Sequence, residues 1–186
     1  MKDKKPVIQS KKLSIRELCY IGIFTAIISV CAQIQIPMPL GVPLTLQTLA
    51  IMLAGIVLGT KNGTITALVY ILLGAFGAPV FSSLSGGPGI IFGRTGGFIL
   101  SFPLLALSSG IGMLKDNRFW LATWLITGAS LNFICGTLMF SAVMQLPVYA
   151  SFGFAAAPFI PTELIKIALL VVFSKTIKRS ILPVRA

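Results

Sequence analysis

The chain is built from long apolar runs separated by short polar breaks. Residues 18–60, 62–93, 95–114 and 119–162 contain no Asp, Glu, Lys or Arg. Each run is long enough for at least one helix of about 20 residues through hydrocarbon. The runs are continuous rather than alternating, which points to helices and away from a β-barrel. Gly and Pro clusters divide them further. A first helix is expected over about 13–36, ended by PMPLGVP at 37–43. A second, over about 44–58, is short for a full span; GTKNG at 59–63 then reads as a tight turn before a third helix over about 64–76. GAPVFSSLSGGPGIIFGRTGG, 77–97, reads as irregular. A fourth helix follows it to about 114, and a fifth starts near 119 and ends before Pro147. LPVYASFGFAAAPFIP reads as a second irregular stretch, and a sixth helix is expected over about 161–177. No internal repeat is visible, which weighs against inverted-repeat transporter folds.

Placing the charges on this pattern supports six spans. Of 15 basic residues, all but Arg94 and Lys166 fall before the first helix or in its first turn, between helices two and three or four and five, or in the last turn of the sixth and after it. Loops 37–43, 77–93 and 145–160 carry no charge. The excess of Lys and Arg marks the cytoplasmic side, so both termini are expected there. Five or seven spans would destroy the sorting. The expected fold class is therefore all-α: a basic tail over 1–12, then a single six-helix transmembrane domain over 13–186.

Composition agrees: 56% of residues are hydrophobic and 10% charged, too few charges to cover a soluble domain. The net charge of +11 does not indicate nucleic acid, because the basic residues sit in short clusters between apolar runs. Cys19, Cys31 and Cys135 lie in apolar segments without CxxC spacing, and the chain has no His, so neither a metal site nor a disulfide framework is expected. ATP-binding motifs and nucleophile–base pairs are absent. The start resembles a signal-peptide n-region, but the apolar run behind it is too long for an h-region and lacks a cleavage site, so an uncleaved first helix is expected.

The candidate chemistry centres on PFIPTELIKIALLVVFSK. Lys166 lies nine residues before Lys175, about 13 Å along a helix, and so near the middle of a hydrocarbon core about 30 Å thick. Glu163 is one turn further out on the same face. Charges at that depth are costly and are functional by default, although an ion pair that merely braces the bundle is the structural alternative. Thr45, Gln47 and Thr48 in VPLTLQTL lie near the outer end of the second helix and read either as ligand contacts or as helix–helix contacts. Tyr70 and Asn132 are equally open. The stretch holding Ser83 and ending at Arg94 reads either as an anion cradle of backbone N–H groups or as an outer gate. It is no P-loop. Gly22, Ala26 and Ser29 form a small-residue stripe on the first helix, suited either to docking another membrane helix or to packing inside the bundle.

VPLTLQTLAIMLAGIVLGTKNG, YILLGAFGAPVF, GRTGGFILSF and PFIPTELIKI resemble, in this order, the BioY family, the biotin-specific S component of energy-coupling factor (ECF) vitamin transporters. The resemblance implies six helices with cytoplasmic termini and biotin binding near the outer face. It also implies transport with a membrane scaffold subunit and two cytoplasmic ATPases, in the cell membrane of a prokaryote. No cofactor and no catalysis by this chain are implied. Biotin's ureido ring offers N–H donors and a polarised carbonyl that suit Glu163 and Lys166. Its carboxylate wants a cation or a helix N-terminus. The family typically has Asp where this chain has Glu163, and often PTGGY where this chain reads RTGGF. Arg94 thus has two readings, a partner for the carboxylate or a side chain snorkelling to the interface. The residues also leave open an S component for another vitamin, a stand-alone proton-coupled carrier relying on Glu163, and a small membrane enzyme using Glu163 as acid or base.

Overall fold

The structure is a computed structural model and describes residues 13–38 and 42–185, with the side chains of Lys175 and of residues beyond Ile177 left out. The basic tail 1–12 and the side chains of Lys175, Lys178, Arg179 and Arg185 therefore lie outside the described residues. Four helices are long and apolar enough to cross a membrane, and a shorter apolar stretch covers Gly96–Gly112.

Helix α1 (Ile15–Gln33) starts at a reciprocal cap: Glu17 N donates to Ser14 Oγ at 3.2 Å, and Ser14 N donates to Glu17 Oε2 at 2.8 Å. It buries Ile21, Thr25, Ile28 and Ala32. It stops at Gln33, short of the expected 36. Pro37 disfavours a helical Ile36, and strand β1 (Gln35–Ile36) instead pairs antiparallel with β2 (Leu44–Thr45).

Helix α2 (Gln47–Ala75) is continuous in name only. Gly59 has φ 83° and ψ 176°, and the chain turns back there. Gln47 Nε2 lies 2.7 Å from Tyr70 Oη, whereas 23 residues of straight helix would separate them by about 35 Å. A Cβ on Gly63 would sit 2.7 Å from Gly55 Cα, so the two halves also touch near the turn. The reversal is narrower than the five-residue turn expected from GTKNG, because one Gly supplies the whole change of direction and Lys61 and Asn62 are already helical.

The loop 77–97 is more ordered than its Gly and Pro content suggests. It holds a 3-10 turn (Ser82–Leu84), helix α3 (Pro88–Ile91) and the start of α4 (Gly96–Leu100). The expected fourth helix is two pieces, α4 and α5 (Phe102–Gly112), since Pro103 has no N–H to continue the ladder through Ser101. Helix α5 packs closely on α2: a Cβ at Gly55 would collide with the carbonyl of Ala106.

Helix α6 (Arg118–Met144) begins at Asn117, which caps Phe119 N at 2.8 Å. The second expected irregular stretch is mostly helical: α7 (Val148–Ala155), then a 3-10 turn (Ala157–Phe159). Pro147 immediately precedes α7 and Pro158 follows it, positions where proline breaks no helical hydrogen bond. Helix α8 (Ile160–Arg185) extends past the expected 177.

Leu105, Ala106, Leu125, Ile51, Ala54 and Tyr70 belong to one core shared by α2, α5 and α6. A smaller cluster of Val42, Phe140, Ala155 and Phe159 closes one end. Many large apolar side chains, among them Val30, Leu72, Ile134, Leu138 and Phe173, face outward, a surface that hydrocarbon solvates and water does not. Arg16, Lys61, Lys115 and Arg118 gather at the end opposite the small cluster. Asn62 Nδ2 donates to Glu17 Oε1 at 3.0 Å, Gly110 abuts Thr60, and Lys115 and Arg118 share a cleft with Ser174.

Candidate functional site: a buried ion pair beneath an aromatic-walled cavity

Glu163 and Lys166 lie in the first two turns of α8, facing the chain's entry into α2. Both are more than nine-tenths buried. Lys166 Nζ makes three hydrogen bonds, to Thr45 O at 2.9 Å, Thr48 Oγ1 at 2.8 Å and Glu163 Oε2 at 3.0 Å. Thr48 Oγ1 in turn donates to Glu163 Oε2 at 2.8 Å. The ammonium thus has three acceptors for three protons, and Thr48 bridges the two charges. Such saturation makes a buried ion pair tolerable. One oxygen, Glu163 Oε2, takes both of these bonds; among the described residues Oε1 takes none.

The pair forms the floor of a cavity of about 70 Å³. Phe81, Phe98, Phe102, Phe133 and Phe159 wall it, and Gln47, Thr48 and Asn132 add polar groups. Gln47 is held from behind: its Nε2 donates to Tyr70 Oη, and Tyr70 Oη donates to Val80 O at 2.9 Å. Asn132 Nδ2 donates to Phe98 O at 2.8 Å and Ser101 Oγ at 2.7 Å.

A second space of about 620 Å³ lies outside the first and shares Pro43, Ser82 and Thr95 with it. Arg94 and Ser83 line this outer vestibule and are exposed; Ser83 Oγ accepts from Gln35 Nε2 at 2.6 Å. A larger groove of about 710 Å³ between α6, α7 and α8 also reaches Glu163, but outward-facing Ile134, Leu138, Val148 and Leu164 line it. With so few polar groups converging there, it belongs to the lipid-facing surface.

The structure therefore brings Thr45, Gln47, Thr48, Asn132, Glu163 and Lys166 to one cavity. Thr45 meets Lys166 through its backbone carbonyl, while its hydroxyl accepts from Gln47 N at 3.2 Å. Tyr70 does not line the cavity; it stands behind Gln47 and edge-on to Phe81, with ring centroids 5.4 Å apart. Ser83 and Arg94 belong to the vestibule. Gly22 and Ala26 are exposed on α1 and Ser29 is half-buried, and a Cβ on Gly22 would meet nothing within 4 Å. Gly22 and Ala26 thus face away from the bundle, while Ser29 sits at its edge. Sequence reasoning missed the five phenylalanines, since aromatic residues are common throughout the apolar runs. It also missed Gln33, whose amide bonds Phe81 O and Leu84 N on the outer loop.

Fold and site together define a helical membrane protein with a small polar cavity among apolar helices, of the kind that binds a solute. Comparison with known proteins narrows this. The profile of the BioY family matches residues 4–182, and the chain belongs to that family. It is 36% identical over 166 residues to the biotin transporter BioY of Thermotoga maritima, covering 88% of this chain and 96% of that protein. It is 34% identical over 163 residues to the probable biotin transporter BioY of Pyrococcus horikoshii, covering 88% and 96%. Among solved structures, the S-component for biotin from an ECF-type ABC transporter superposes with a TM-score of 0.80 at 27% identity, covering 89% of this chain and 92% of that one.

Proposed function

We propose that the chain is the biotin-binding S component of an ECF-type vitamin transporter. The observation that carries this reading is the hydrogen-bonded Glu163–Lys166–Thr48 triangle at the floor of an aromatic-walled cavity, in a chain of the BioY family. The biotin ureido ring is planar, with two N–H donors and a polarised carbonyl. Glu163 Oε1 suits an N–H donor, and Lys166 can turn one proton from Thr45 O to the ureido carbonyl. Gln47 and Asn132 complete the polar rim, and the phenylalanines suit the thiophane ring. The valeryl chain then points towards the vestibule, where Arg94 pairs with the carboxylate and Ser83 lies alongside.

A cavity of about 70 Å³ is well below the ~300 Å³ usual for small-molecule sites, so its outer wall has to move for a ligand of this size. The reversal at Gly59 turns α2 into two crossings, which supports six spans. The gathering of Arg16, Lys61, Lys115 and Arg118 at one end supports a cytoplasmic placement of both termini. Exposure of Gly22 and Ala26 supports docking of a scaffold subunit on α1, with two ATPases supplying the energy this chain lacks. The setting is then the cell membrane of a prokaryote.

The test is equilibrium binding of labelled biotin to the purified chain, without nucleotide or proton gradient. Saturable binding displaced by unlabelled biotin is expected; a folded chain that binds no biotin overturns the reading.

A further inference from the structure

Outside the cavity, Gln33 at the end of α1 holds the loop that forms the cavity's outer wall. Its Nε2 donates to Phe81 O at 3.0 Å, and its Oε1 accepts from Leu84 N at 2.9 Å. Its second Nε2 proton goes to Ser29 O at 3.0 Å, so both amide protons are used. Between these two anchors the backbone is unusual. Ser83 and Leu84 have φ of 58° and 51°, two consecutive non-glycine residues in the left-handed region. Residues there persist only where their surroundings over-determine them. Leu84 is 68% exposed and contributes little burial of its own. Phe81, by contrast, is 1% exposed, packs its ring over Gly74 and against Tyr70, and lines the cavity together with Ser82.

We infer that Gln33 is a positioning residue for ligand retention: its side-chain amide holds the 81–84 turn in its left-handed form and so keeps Phe81 closed over the cavity. The inference rests on the proposed biotin site. Ser82 lies between cavity and vestibule, so ligand entering from the vestibule has to displace this wall. Tyr70 holds the same segment from the inside through Val80 O, and Gln33 holds it from the α1 side. Loss of the α1 anchor leaves the ligand contacts at Glu163 and Lys166 in place but lets the wall open more often. The effect therefore falls on release rather than on capture.

The experiment measures biotin association and dissociation on the full chain in lipid nanodiscs, with amide hydrogen exchange at 81–85 recorded without ligand. Gln33→Ala is expected to speed dissociation roughly tenfold, as for loss of one or two net hydrogen bonds, and to change association little. Gln33→Glu keeps the acceptor for Leu84 N and loses the donor to Phe81 O, so its rate falls between. Leu84→Gly added to Gln33→Ala restores part of the slow dissociation, because glycine accepts a positive φ without the clamp and the exposed Leu84 side chain contributes little. Exchange at 81–85 rises in Gln33→Ala whether or not biotin is the ligand. A wild-type chain that binds no biotin thus defeats the functional reading while exchange still judges the clamp. Unchanged exchange, or unchanged dissociation in Gln33→Ala, overturns the inference. If Gln33→Ala does not fold, Gln33→Glu decides: wild-type exchange in that variant overturns it too.

Discussion

Thr48 Oγ1 donates to Glu163 Oε2 at 2.8 Å across 115 residues of sequence, and the same oxygen accepts from Lys166 Nζ at 2.8 Å. One hydroxyl therefore sets the orientation of both charges. Thr48→Val keeps the shape and removes both bonds. Hydrogen bonds to charged groups contribute about 1.5–3 kcal/mol, so biotin binding is expected to weaken by roughly 10- to 100-fold while the fold survives. Isothermal titration alongside a thermal melt separates the two effects, and wild-type affinity in a folded Thr48→Val protein would remove Thr48 from the site.

Lys166→Ala leaves Glu163 buried without its counter-charge. Biotin binding is expected to be lost, with a fall in stability as well, since breaking a buried pair costs about 3–5 kcal/mol. Glu163→Gln keeps the volume and should cost about 1.5–3 kcal/mol in affinity if a charged hydrogen bond to the ureido ring is lost. Glu163→Asp, which keeps the charge, should be much milder. Normal binding by the Gln variant would make the carboxylate a purely structural partner of Lys166.

Arg94 sits in the vestibule, apart from the ion pair. Arg94→Ala is expected to weaken biotin more than biotinamide, because only biotin carries the carboxylate a guanidinium can pair with. Competition binding with both ligands checks this. Equal losses would point to a role in loop closure instead.

Ala26 is exposed on α1, outside the buried face of Ile21, Thr25, Ile28 and Ala32. Ala26→Trp should therefore leave biotin binding and melting temperature near wild type and abolish co-purification with the scaffold subunit and biotin uptake. Intact uptake would show that this stripe is not the docking face.

Gly59 adopts φ 83° and ψ 176°, a conformation that is essentially glycine-only. Gly59→Ala is expected to destabilise the protein by about 1–3 kcal/mol. The loss should appear as a lower unfolding midpoint in detergent with the ligand affinity of the folded fraction unchanged. An unaltered midpoint would mean that the reversal tolerates a Cβ.

The membrane class of the protein was legible in its sequence because it depends on a local quantity. Each uncharged run announces its preference for hydrocarbon residue by residue, and the misplaced Lys166 and Glu163 stand out against that background without knowledge of any neighbour. The family motifs were legible for the same reason, as strings of adjacent residues. The partner of the pair was only half legible: Thr48 was one of several polar groups near a helix end. Only the reversal of α2 at Gly59 and the seating of α8 against the start of α2 made it a bridge. Tyr70, open in the sequence between a ligand contact and a packing role, stands behind Gln47 in the structure, since which side of a buried hydroxyl meets the cavity depends on packing. Helix α7 was hidden by prolines that turned out to flank it rather than interrupt it. The Gln33 clamp had no signal at all. A glutamine at a helix end is commonplace, and its role exists only because the fold brings Phe81 and Leu84, 48 and 51 residues further along, within hydrogen-bond reach. Hydrophobicity and charge act through solvent and can be read from sequence position by position. Hydrogen bonds act through geometry, so the tertiary structure alone decided which polar side chains line the cavity and which hold its walls.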